Sequence, residues 1–96
     1  MKQFIRLSDK EIEIIKNSIT QIFGENEIYI FGSRLKDKKG GDIDIFIIPK
    51  NRENLFEKKL KALVLLEKQL FKPVDLVVHK NFDRIIEKEG LKGVKL

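Results

Sequence analysis

Apolar and polar positions recur along this chain with two different periods, and the change of period divides it into elements. Between Ser8 and Gly24, the residues Ile12, Ile15, Ile19, Ile22 and Phe23 return at helical spacing. Ser8-Asp9-Lys10-Glu11 has the form of a capping box, and Leu7 and Ile12 stand at the staple positions around it. Gly24 sits where a helix-ending glycine belongs. A helix over residues 9–23 is expected, its stripe in the core. Residues 27–31 and 42–48 are short runs rich in isoleucine and read as strands, the second stopped by Pro49. A third strand, residues 74–78, opens after Pro73. Asn51 is expected to cap an intervening helix whose buried face carries Phe56, Leu60, Leu63, Val64 and Leu70. Asn81 is expected to cap a last helix through about Glu89, with Phe82, Ile85 and Ile86 inward and Gly90 closing it. Leu91, Val94 and Leu96 are left to pack on the body or to meet a partner.

Strand alternation then sorts side chains onto faces. Ile43, Ile45 and Ile47 point one way, into a core. Asp42 and Asp44 point the other way, together with Phe46, which belongs under the site or under the helix after Asn51. At ~4 Å and an effective dielectric of ~20, two such carboxylates repel by about 4 kcal/mol. A divalent cation converts that cost into affinity, and carboxylate plus phosphate is a usual magnesium environment. In the third strand, Val74, Leu76 and Val78 share a face, leaving Asp75 and Val77 on the other. A carboxylate inside an apolar strand is costly unless it is paired or metal-bound. With the third strand beside the second, Asp75 joins Asp42 and Asp44, making a site for two cations.

Composition narrows the class. Ninety-six residues with 42% hydrophobic content fit one soluble domain, residues 1–96. No apolar run approaches the ~20 residues of a membrane span, and the first six residues lack the apolar core of a signal peptide. The absence of cysteine removes disulfides and thiolate chemistry. A cytoplasmic location is expected. The net charge of +5 admits polyanionic partners without requiring them. Most lysines read as a solvated surface, including those at 58, 59 and 61. Lys36, Lys38 and Lys39 read as loop charges.

The segment joining the first two strands carries the remaining chemistry. Gly32 lets backbone approach a ligand closely. A helical turn over residues 33–37 aims free amides at the same place, favouring phosphate, and Ser33 adds a hydroxyl. Arg34 stands beside them, facing phosphate or solvent. His79 reads as a strand-end residue and Tyr29 as packed.

Gly32-Ser33-Arg34 followed by Gly41-Asp42-Ile43-Asp44-Ile45 resembles the Gly-Ser and Asp-x-Asp signature of the DNA polymerase β-like nucleotidyltransferases. Val74-Asp75-Leu76-Val77 is similar to their third-carboxylate strand. The small size and a tail of the form Ile-Glu-Lys-Glu-Gly … Val-Lys-Leu most resemble the minimal nucleotidyltransferases, or MNT domains. Gly41 stands where that family often has serine, so a hydroxyl near the metal is missing. The resemblance implies an α/β (α+β) fold: a small mixed sheet of three or more strands, with helices packed against it. It implies transfer of AMP from ATP to an acceptor with release of pyrophosphate. Asp42, Asp44 and Asp75 would be catalytic and bind two magnesium ions, and Gly32, Ser33 and Arg34 would contact the triphosphate. It further implies a helical HEPN-type toxin as partner, silenced by adenylylation of a tyrosine, with this chain as antitoxin in a homo- or hetero-oligomer. Two other readings stand beside this one. In the first, the chain is a binding module that neutralises the partner by contact alone. In the second, the acceptor is RNA, ranked last because no aromatic-basic surface motif is visible.

Overall fold

The computed structural model describes residues 7–32 and 43–96. Its element order is α1 (Asp9–Phe23), β1 (Asn26–Phe31), β2 (Ile43–Pro49), α2 (Leu55–Leu70), β3 (Val74–Val78), α3 (Ile85–Leu91) and β4 (Val94–Lys95). Among the described residues the strands form one mixed sheet in the order β3-β2-β1-β4, so the fold is α+β, with three helices on a four-stranded sheet. β1 is antiparallel to both β2 and β4, whereas β2 and β3 are parallel. The parallel pair follows from the connection: α2 carries the chain back across one face before β3 begins, as a parallel crossover requires.

α1 starts as the capping box demands. The Glu11 amide donates to Ser8 Oγ at 3.1 Å, and the Ser8 amide donates to the Glu11 carboxylate at 3.0 Å. It ends at Gly24, whose φ of 75° favours glycine. Ile15, Ile19 and Phe23 pack with Ile28, Ile30, Ile43, Ile45, Ile47 and Leu76 in the main core, which α1 and α2 close from one side of the sheet. Phe31, Phe46 and Val77 form a smaller cluster on the opposite face. There Gly90 of α3 lies directly on Phe46, where a Cβ would come within 2.7 Å of the ring.

Several expectations need correction. In α2 the buried residues are Ala62, Leu66 and Leu70, while Phe56 and Val64 are 74% and 69% exposed and Leu60 is also exposed. Two apolar stripes at i, i+4 spacing run along this helix, and the one containing the small Ala62 faces the core. Asn54, not Asn51, precedes the helix; the Asn51 side chain instead accepts from the Glu53 amide at 2.8 Å, making a turn. Asn81 likewise accepts from the Asp83 amide, and α3 begins later, after Arg84. Phe82, Ile85 and Ile86 are exposed; Glu87 and Gly90 are the buried residues of α3. Gly90 therefore does not end the helix but lets it approach Phe46, which lies under α3 and not under α2. The tail is a strand: Val94 pairs with Ile30, and the Leu96 amide donates to the Ile28 carbonyl at 2.8 Å.

Candidate active site

Asp44 and Asp75 are register partners across the parallel β2–β3 pair. Their strand neighbours Ile43, Ile45, Val74 and Leu76 all belong to the main core, so alternation turns both carboxylates to the opposite face. Neighbouring strands are about 4.8 Å apart, so two like charges share one small area. Asp75 is exposed and Asp44 half-buried.

Gly32 completes the described part of the site. β1 pairs Phe31 with Asp44, and Gly32 follows at the strand end with φ of 74°. A Cβ built on it would overlap the Asp44 carboxylate oxygen and lie 2.9 Å from Asp44 Cγ. Glycine is thus required twice over, for the left-handed backbone and for the space above it. β1, β2 and β3 bring Gly32, Asp44 and Asp75 together at one end of the sheet.

Ser33, Arg34 and Asp42 lie outside the described residues, as do the expected helical turn over 33–37 and the loop lysines at 36, 38 and 39. Among the described residues no group of three or more His, Cys, Asp or Glu side chains forms a metal cluster. Asp44 and Asp75 nevertheless supply two hard oxygen donors on one face, the donor type that suits magnesium.

Sequence reasoning passed over two features beside this pair. A cleft of about 330 Å³ runs from Asp75 along β3 and is lined by Phe56 and Lys59 of α2 and by Lys80, Arg84 and Ile86 near α3. In the sequence Lys59 belongs to a lysine cluster that reads as solvated surface, and no local pattern marks Lys80. The second feature is Glu87, fully buried. Its carboxylate accepts from His79 Nδ1 at 2.7 Å, from the amides of Lys80 and Asn81 at 2.7 and 3.0 Å, and from Arg84 Nη1 at 3.0 Å. Burial alone would push Glu87 up, but the His79 hydrogen bond and the two amides more than offset this and hold it below the usual carboxylate value. The His79 ring also stacks on Phe82, with centroids 3.9 Å apart. Glu87 therefore pins the β3–α3 connection, and with it the lower wall of the cleft. Tyr29 packs near Phe46, with ring centroids 6.0 Å apart.

No helix among the described residues is long and apolar enough to cross a membrane. The family model described as Polymerase beta, Nucleotidyltransferase matches residues 8–96. A search of curated proteins found no match.

Proposed function

The chain belongs to the polymerase β nucleotidyltransferase family and is a nucleotidyltransferase, and from that premise we propose that it transfers AMP from ATP to a protein acceptor, a HEPN-type toxin for which it is the antitoxin. The observation that carries this reading is the pairing of Asp44 with Asp75 on one sheet face, with a glycine that leaves room for Asp44.

In this reading Asp42, Asp44 and Asp75 would hold two magnesium ions, which would supply charge neutralisation to the attacking and leaving oxygens of an in-line displacement. Gly32 and Ser33 would supply backbone and hydroxyl donors to the triphosphate, with Arg34 as a further phosphate contact. Asp75, the more exposed carboxylate, faces the acceptor and takes the proton from its hydroxyl. The acceptor oxygen then bonds to the α-phosphorus, the bond from that phosphorus to the β-phosphate oxygen breaks, and pyrophosphate leaves. Positioning and charge neutralisation account for most of the rate in phosphoryl transfer. A protein acceptor is favoured because exposed apolar side chains, Phe56 and Ile86, line the cleft beside Asp75.

The test is label transfer from α-labelled ATP, with magnesium or with chelator, to a helical partner protein in lysate of the source cell, identified by mass spectrometry of the labelled band. Wild type should label a tyrosine of that partner. Disturbing residues that merely orient metal ligands costs 10–100-fold, so Asp44→Asn should reduce labelling by at least about 100-fold. Equal labelling by Asp44→Asn would sink the assignment. An unlabelled partner that is nonetheless silenced would favour neutralisation by contact.

A further inference from the structure

The cleft beside Asp75 touches α2, which packs on one face of the sheet, and residues flanking α3, which packs on the other. A single cleft can touch both only by running along the sheet's rim. β3 is that rim, since the strand order is β3-β2-β1-β4.

Hydrogen-bond parity shows which backbone groups face outward. The Ile43 amide donates to Pro73 O and the His79 amide to Ile47 O, so the odd-numbered residues of this stretch face β2. The even-numbered ones face away. Val74 confirms it: its amide donates to the Glu67 side chain at 3.0 Å. Leu76 and Val78 therefore direct their N–H and C=O groups into the cleft, and among the described residues no strand pairs with them.

A rim of this kind accepts another strand. We propose that the outer edge of β3 takes an extended, acidic segment of the protein acceptor as a fifth strand, and that this segment carries the acceptor hydroxyl past Asp75. Backbone pairing to Leu76 and Val78 supplies the register, and flanking side chains the selectivity, as in other strand-addition sites. Phe56 above the rim and Ile86 below it are exposed and offer apolar walls. Lys59 and Lys80 set the charge. Arg84 is tied to Glu87, but neither lysine has an ion pair among the described residues. A second copy of this chain carries the same net charge of +5, so complementarity selects an acidic segment instead. The hydroxyl-delivery part rests on the AMP-transfer reading; the docking part does not.

Nuclear magnetic resonance on the ¹⁵N-labelled full chain tests the docking without nucleotide, so AMP transfer and edge docking can fail separately. The probes are an eight-residue peptide alternating valine and glutamate around a central tyrosine, and its lysine-for-glutamate counterpart. The acidic peptide should shift the Leu76 and Val78 amide signals. At a concentration about ten times its Kd it should slow their hydrogen exchange about tenfold. Lys59→Glu with Lys80→Glu should weaken binding at least about tenfold. Val78→Pro, which removes an outward N–H and no bond to β2, should abolish it; the charge-reversal pair carries the test if that variant does not fold. The proposal is overturned if the acidic peptide leaves Leu76 and Val78 unmoved at millimolar concentration. It is also overturned if the basic peptide binds equally, if magnesium-ATP displaces the peptide from these amides, or if they are already protected in a concentration-dependent dimer.

Discussion

Gly32→Ala is the substitution that most directly probes the site's construction, because Gly24→Ala is its natural control. Both glycines have almost the same positive φ, 74° and 75°. Gly24 combines that φ with ψ of −146°, a combination reserved almost entirely for glycine, and forcing an L-residue into such positive-φ backbone costs about 1–3 kcal/mol. For a domain of this size each kcal/mol moves Tm by about 4–8 °C, so each variant should lose roughly 4–24 °C. There the likeness ends. A Cβ at position 24 meets nothing within 4 Å, whereas one at position 32 would lie 2.9 Å from Asp44 Cγ, against 3.4–4 Å for ordinary contact, and closer still to the carboxylate oxygen. Asp44 must therefore swing away, and a catalytic group displaced by ~1 Å costs about 100-fold in rate. Thermal unfolding and AMP label transfer, measured on both variants at a temperature where both are folded, give the comparison. The expected pattern is similar Tm losses, with transfer retained by Gly24→Ala and lost about 100-fold by Gly32→Ala. Equal transfer rates, whether both retained or both lost, would refute the claim that Gly32 is there to seat Asp44.

Other expectations follow from the same geometry. Glu87→Gln replaces a buried acceptor of four hydrogen bonds with a group that presents N–H to backbone amides; it should cost about 2–3 kcal/mol in urea unfolding, and a loss below 1 kcal/mol would discount the hub. The Glu87 carboxyl is held low when folded, so its contribution is fully present above the ordinary carboxyl value of 4.5 and drains as pH falls through the lower folded value. Wild type should accordingly lose stability in acid more steeply than Glu87→Gln, as two urea series across pH 3–6 would show. Phe46→Ala empties a fully buried position beneath Gly90 and should cost about 3–5 kcal/mol; a much smaller loss would mean that α3 does not rely on this contact.

Part of this molecule was legible one residue at a time. The capping box and Gly24 fixed α1 at the bounds observed, because capping is a local bargain between neighbouring atoms. Alternation placed Ile43, Ile45 and Ile47 in the core and Asp44 and Asp75 on the other face, because the strand period is two wherever the strand lies. Local pattern did less well on the helices. α2 offers two apolar stripes of equal spacing, Phe56-Leu60-Val64 and Ala62-Leu66-Leu70, and periodicity alone favours the bulkier one.

The sequence by itself thus determined the order of elements up to the tail, the two faces of each of the first three strands, and the carboxylates that would make a site. Tertiary structure alone decided that β3 lies parallel beside β2 and brings Asp75 level with Asp44. It decided that Gly90 lets α3 onto Phe46, that the tail closes the sheet as β4, and that β3 is left as an open rim between Lys59 and Lys80. The physical reason is range. Capping and alternation are settled within a few residues, whereas strand order, and which stripe of a helix is buried, depend on packing between segments far apart in the chain.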